Sequence, residues 1–89
     1  MDKRESERIQ YEQMVDLTVS VLQFKELKSL NLKGNGIDIS KTGLGLRVDY
    51  PLEPGHVLRF SNGIGHKTGI VKWSRKTDNS AYSIGIKFV

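Results

Sequence analysis

Two short patterns bring together residue types that bind phosphates and purine bases. The first is the pair Arg4 and Arg8, four positions apart near the N-terminus. A guanidinium is a planar fork of donors that matches phosphate oxygens or the O6 and N7 atoms of guanine, and its plane can stack on a base. Taken alone, the pair is more typical of a solvated charged tail, so its meaning depends on what lies elsewhere in the chain.

The second pattern is Asp38-Ile-Ser40-Lys-Thr-Gly43. The Asp38 carboxylate can accept hydrogen bonds from the N1–H and N2–H edge of guanine, and the Ser40 hydroxyl can donate to a phosphate. Gly43 lets the backbone approach a ligand closely or adopt a positive φ. The alternative is a strand end whose polar side chains stabilise a turn. Together with the arginines, the pattern indicates a nucleotide site.

The segment after the arginines predicts a strand. Its odd positions from Ile9 to Val21 are mostly apolar and its even positions are mostly polar, a period of two that buries one face. A helix over residues 6–15, capped by Ser6, is the alternative. Residues 22–33 fit neither period, so we expect a hairpin with ragged register there.

A strand that ends at Ser40 should follow this hairpin. Its alternation places Ile37 and Ile39 on one face and Asp38 and Ser40 on the other, where a ligand can reach them.

Four more strands are predicted, at residues 44–48, 57–61, 67–74 and 82–88, with turns at 50–55, 61–63 and 75–80. Val71 and Trp73 should share one face, which makes Trp73 a core residue or, if it faces the arginines, a platform for a base. About six short strands without a clear helix are typical of an antiparallel barrel or sandwich. Closure into a barrel would also hide the sheet edges.

Composition narrows the functions that are possible. The 89 residues allow one domain, the absence of cysteine excludes disulfides and thiol chemistry, and two histidines make a histidine metal cage unexpected. No nucleophile, base and acid occur at a spacing that predicts catalysis, so we do not expect an enzyme. The net charge of +4 is concentrated in residues 41–89, which suits an anionic partner such as a nucleotide, a nucleic acid or a membrane surface.

The N-terminus shows no apolar core of a secretory signal and no Met-Gly start for myristoylation. No apolar run approaches the ~18–20 residues that span a bilayer, so we expect no membrane insertion. A cytoplasmic location is the resulting expectation.

The two motifs, in this order and about thirty positions apart, resemble those of the PilZ domain family, RxxxR and [D/N]xSxxG. The flanking sequence is similar to the family as well, in Ile37-Asp-Ile-Ser40, Gly43-Leu44, Pro54-Gly55, Gly69-Ile-Val71, Trp73 and Tyr82-Ser-Ile-Gly-Ile-Lys-Phe88. The resemblance implies a six-stranded antiparallel β-barrel over residues 9–89. It also implies binding of cyclic di-GMP, the bacterial second messenger, without another cofactor, and an unidentified downstream protein partner. The segment before the barrel, residues 1–8, has six charged residues and no apolar residue after Met1, which predicts a flexible arm.

By this resemblance Arg4 and Arg8 grip phosphates and guanine edges, while Asp38, Ser40 and Gly43 surround a guanine. Secondary candidates for ligand contact are Lys3, Lys41, Trp73 and Arg75. The family commonly adds a helix after the last strand, and this chain stops at Val89, so no C-terminal helix is expected.

Two other interpretations remain open. A small basic barrel can bind single-stranded nucleic acid, which predicts aromatic side chains clustered on one exposed strand face. A barrel of this kind can also act through protein contacts alone, without a ligand. The paired motifs favour the nucleotide over both, so nucleic acid is not the expected partner.

Overall fold

The computed structural model describes residues 8–61, 64–65, 67–78 and 80–89, and every regular element within them is a β-strand. The seven strands are β1 (Ile9–Gln10), β2 (Met14–Gln23), β3 (Glu26–Ile39), β4 (Gly43–Val48), β5 (Val57–Phe60), β6 (Thr68–Lys76) and β7 (Tyr82–Phe88). The helix considered for residues 6–15 is therefore wrong over the part that is described, residues 8–15. No helix in the described part of the chain is long and apolar enough to cross a membrane.

The strands form a closed antiparallel barrel. Around the barrel the order is β2, β3, β4, β7, β6 and β5, and β5 returns to β2. Closure depends on the length of β3, because its first part pairs with β2 and its last part, from Asn35 to Ile39, pairs with β4. The predicted six-stranded barrel is confirmed, with β1 as an additional short strand against the end of β3.

The core is filled by the inward positions of the alternating strands. The odd positions of β2 and the even positions of β4 and β7 point inward, as their period of two predicts. Leu52, which lies in the proline-containing turn after β4, is also buried and was not predicted to be. The buried apolar side chains are Val15, Leu17, Val19, Val21, Leu44, Leu46, Val48, Leu52, Leu58, Val71, Ile84, Ile86 and Phe88.

The hairpin between β2 and β3 is regular, so the expectation of a ragged register is wrong. Pairing runs without a shift from Met14 opposite Asn35 to Gln23 opposite Glu26. The two turn residues, Phe24 and Lys25, both have positive φ, 50° and 66°. A two-residue turn of this kind matches the twist of antiparallel strands, although the usual Asn-Gly sequence is absent.

The irregularity in β3 lies near its end instead. The register with β4 shifts between Gly36 and Asp38, so Ile37 is an extra residue in a β-bulge. The bulge places Ile37 at the outer surface beside Asp38, whereas Ile39 packs against the core. The prediction that Ile37 and Ile39 share a face is therefore wrong, although Asp38 faces outward as expected.

A second bulge lies in β6. Its register with β7 shifts between Val71 and Trp73, with Lys72 as the extra residue. Val71 is buried, and the Trp73 side chain is 45% exposed on the outside of the barrel. The prediction that these two residues share a face is wrong, because the added residue reverses the alternation after Val71.

Candidate functional site

A row of four residues crosses the outer surface of the barrel between the bulge of β3 and the bulge of β6. Asp38 on β3 lies opposite Gly45 on β4, Gly45 lies opposite Gly85 on β7, and Gly85 lies opposite Trp73 on β6. At about 4.8 Å between strands, the backbone of the row spans about 14 Å from Asp38 to Trp73. The Asp38 carboxylate lies over Gly45 and the Trp73 indole over Gly85, so an acceptor and an aromatic ring lie over neighbouring glycines.

The two glycines form a floor that side chains would fill. A Cβ on Gly45 would lie 2.7 Å from Asp38 Oδ1, and one on Gly85 would collide with the Trp73 indole. Both glycines alternate with core residues, so they sit at outward strand positions where other residues carry side chains. The absence of a Cβ at these two positions lets the carboxylate and the indole lie close to the sheet.

The row lies in an open pocket of about 440 Å³. Its charged lining consists of Arg8, Lys72, Lys87 and a single carboxylate, that of Asp38. Three cations against one anion leave a positive balance, which favours an anionic ligand. The remaining lining residues are Ile37, Thr42, Gly43, Gly45, Trp73, Gly85 and Ile86.

Arg8 and Asp38 are paired with each other. Arg8 Nη2 donates to Asp38 Oδ1 at 2.8 Å, and both side chains are partly exposed. β1 positions the arginine, because Ile9 lies opposite Ile39 and the backbone N–H of Tyr11 donates to the Ile37 carbonyl. An exposed pair of this kind contributes little to stability, so its main effect is to hold the guanidinium at the pocket.

Ser40 organises the turn beside the pocket. Its Oγ accepts hydrogen bonds from the backbone N–H groups of Thr42 and Gly43, both at 3.2 Å. These contacts fix the start of β4, and with it the edge of the glycine floor. The structure therefore gives Ser40 a positioning role in the turn, and the residue is not part of the pocket lining.

Trp73 is supported by its neighbour on the same face of β6. The guanidinium carbon of Arg75 lies 5.5 Å from the centre of the indole, a cation–π contact. The indole itself rests on the Gly85 backbone. Both contacts hold the ring at the pocket, where a base can stack on it.

The structure brings together part of the predicted site. Arg8, Asp38, Gly43 and Trp73 line one pocket. Lys41 is exposed and outside its lining, and Arg75 is also outside the lining but contacts the Trp73 indole. Lys3 and Arg4, with the rest of the predicted arm up to residue 7, lie outside the described residues. Sequence reasoning missed Gly45, Gly85 and Lys87, although a glycine between two core residues of a strand was a usable signal.

No protein-family model matches the chain, and no curated protein matches it. Among the residues described, no three histidine, aspartate or glutamate side chains are grouped to hold a metal ion. The structure itself defines a small all-β barrel with an outer pocket that is lined by three cations and one carboxylate.

Proposed function

We propose that this protein is a receptor for cyclic di-GMP, which binds in the outer pocket of the barrel. The observation that supports this most strongly is the row Asp38, Gly45, Gly85 and Trp73, with cations on either side. It offers a ring platform, an acceptor for a guanine edge and positive charge for phosphates, all within one pocket. The motif resemblance to the PilZ family points to the same ligand.

The guanine ring would lie over the glycine floor, stacked on the indole that covers Gly85. In this position its N1–H and N2–H groups donate to Asp38, and one face of the ring stacks against Trp73. Guanine supplies two donors on this edge, which suits a carboxylate with two oxygens. Adenine presents no such pair of donors, so the pocket should discriminate between the two bases.

The phosphates would be bound by the cations of the pocket. Cyclic di-GMP carries two negative charges, and Lys72 and Lys87 line the side of the pocket away from Asp38. Arg8 can reach a phosphate or the O6 and N7 atoms of guanine with its planar fork. By resemblance, Arg4 would add a second guanidinium from the N-terminal segment.

Binding would also couple the ligand to the N-terminal segment. The Arg8–Asp38 ion pair links the start of β1 to the end of β3, and both side chains are proposed ligand contacts. The nucleotide therefore exchanges this ion pair for contacts with itself and repositions the residues before β1. A shift of this segment is the signal that a partner protein would recognise; no bond in the nucleotide is made or broken.

Single-stranded nucleic acid fits the surface less well. That function predicts several aromatic side chains on one exposed face. Of the seven aromatic residues, all of them described, only Trp73 and Phe24 have strongly exposed side chains, and they lie far apart, Trp73 on β6 and Phe24 in the turn between β2 and β3. The polynucleotide is therefore a control in the test and not a second proposal.

Trp73 is the single tryptophan of the chain, so its fluorescence reports on the pocket directly. We expect saturable quenching by cyclic di-GMP at micromolar concentration and much weaker quenching by cyclic di-AMP. Arg8→Ala should weaken binding at least ~tenfold, about 1.4 kcal/mol, because charge-assisted hydrogen bonds are lost.

The matched control is Arg59→Ala, which removes an exposed arginine from β5, outside the pocket lining. Wild-type affinity in Arg8→Ala, or quenching only by a polynucleotide and only at low salt, would contradict the proposal.

A further inference from the structure

The hairpin tip, residues 22–28, extends beyond the barrel. β2 pairs with β5 only from Leu17 to Val19, and β3 pairs with β4 only from Asn35 onward. The end of the hairpin therefore lacks a neighbouring strand on either side among the described residues. This projection contributes to the long axis of the molecule, 49 Å against 28 and 22 Å.

The tip carries large apolar side chains that are strongly exposed in the described structure. Leu22 and Leu27 are a cross-strand pair on the outer face, and both are exposed. Phe24 in the turn is 94% exposed. Three such side chains at the end of one projection are unusual for a soluble surface, where exposed apolar residues are mostly scattered.

The turn is also built against local preference. Phe24 adopts a φ of 50°, in a region where bulky residues are rare and where asparagine or glycine would be favoured. The phenylalanine therefore contributes neither core packing nor a relaxed turn. An outlier of this kind at an exposed apolar tip points to a role in binding.

The charges of the tip indicate which kind of partner it fits. Lys25 and Lys28 outnumber Glu26, and Lys25 makes no ion pair within the described chain. Two tips of this protein brought together would place these lysines against each other, which disfavours a second copy. An exposed apolar tip with adjacent lysines instead matches the surface of an anionic membrane. There the apolar side chains enter the boundary of the hydrocarbon layer, and the lysine ammonium groups stay at the lipid headgroups.

We propose that the hairpin tip is a peripheral membrane anchor that inserts Phe24, Leu22 and Leu27 into the interface of an anionic bilayer. The pocket stays clear of the lipid in this orientation. Asp38 lies eleven residues beyond Leu27 on β3, roughly 36 Å at the rise of a strand. Nucleotide binding and membrane contact therefore occupy opposite ends of one strand and do not compete.

Flotation with lipid vesicles tests this directly. The wild-type chain should float with vesicles of phosphatidylcholine and phosphatidylglycerol in equal parts, and much less with phosphatidylcholine alone. Phe24→Ser should reduce the apparent affinity about tenfold or more, since a buried phenylalanine is lost. Lys25→Glu should also reduce it, because a cation at the headgroups becomes an anion.

Two control variants match these changes elsewhere on the surface. Val57→Ser removes another exposed apolar side chain, and Lys76→Glu reverses another exposed lysine, and both should bind like the wild type. A Phe24→Trp chain in the Trp73→Phe background should show a blue-shifted emission on anionic vesicles.

Three outcomes would overturn the proposal. The wild type fails to bind anionic vesicles, or Phe24→Ser binds them equally well, or sedimentation shows self-association that Phe24→Ser abolishes while vesicles have no effect. The vesicle assay needs no nucleotide, so a negative result in it does not contradict the proposal that the pocket binds cyclic di-GMP. Likewise, a pocket that binds no nucleotide does not contradict the proposal that the hairpin tip is a membrane anchor.

Discussion

Gly45 lies between the core of the barrel and the outer pocket. On its inward side the neighbouring residues Leu44 and Leu46 are buried in the core, and on its outward side the carboxylate of Asp38 approaches. Any side chain here would occupy both the ring platform and the place of the acceptor. A glycine in the middle of a strand has a cost in stability, so its position is explained better by the pocket than by the fold.

Gly45→Val tests this explanation. The valine should displace the Asp38 carboxylate and cover the floor, so the affinity for cyclic di-GMP should fall at least ~tenfold. The free energy of unfolding should change by less than about 1 kcal/mol, because a β-branched residue suits an outward strand position. Fluorescence titration gives the first quantity and chemical denaturation gives the second.

Ser83→Val is the matched control. It places a valine on the same outer surface one row away, outside the pocket lining. If both valines leave the affinity unchanged, the glycine floor has no part in binding.

At the scale of the elements, the β2–β3 hairpin is where structure and local preference disagree most. Phe24 and Lys25 both occupy the left-handed region, which for residues with a Cβ costs roughly 1–2 kcal/mol each. The barrel tolerates this because ten cross-strand pairs hold the hairpin from Met14 to Gln23. The turn conformation thus follows from the strands it connects.

Replacing Phe24-Lys25 with Asn-Gly should therefore stabilise the protein. We expect a gain of about 1–2 kcal/mol, which raises Tm by several degrees in a domain of this size, measured by thermal unfolding. No packing is lost, because Phe24 is almost fully exposed. An unchanged or lower Tm would show that the turn is not strained.

The same elements show how far sequence reasoning reached. The inward positions of Ile84 and Ile86 on β7 could be predicted, because the alternation of apolar and polar residues continues without interruption along that strand. The faces on which Ile37 and Trp73 lie could not be predicted from the alternation, because each depends on a β-bulge. A bulge is set by the pairing with a distant strand, and a local period carries no information on that partner.

At the scale of the whole molecule, barrel closure assembles a pocket from distant segments. Arg8, Asp38 and Trp73 come from the two ends and the middle of the chain, and only the order of strands around the barrel places them together. The sequence identified these three as candidates from their residue types and motifs. It did not identify Lys87, since nothing local to that residue marks it as a neighbour of Gly43.

The most direct test of the central claim is an amide NMR titration of the intact chain with cyclic di-GMP. We expect saturable shifts at Asp38, Gly45 and Gly85 and at the indole N–H of Trp73, with the hairpin tip unchanged. No saturable shift at micromolar nucleotide would contradict the account. So would shifts confined to another surface, such as the crevice between Asn35 and Arg47.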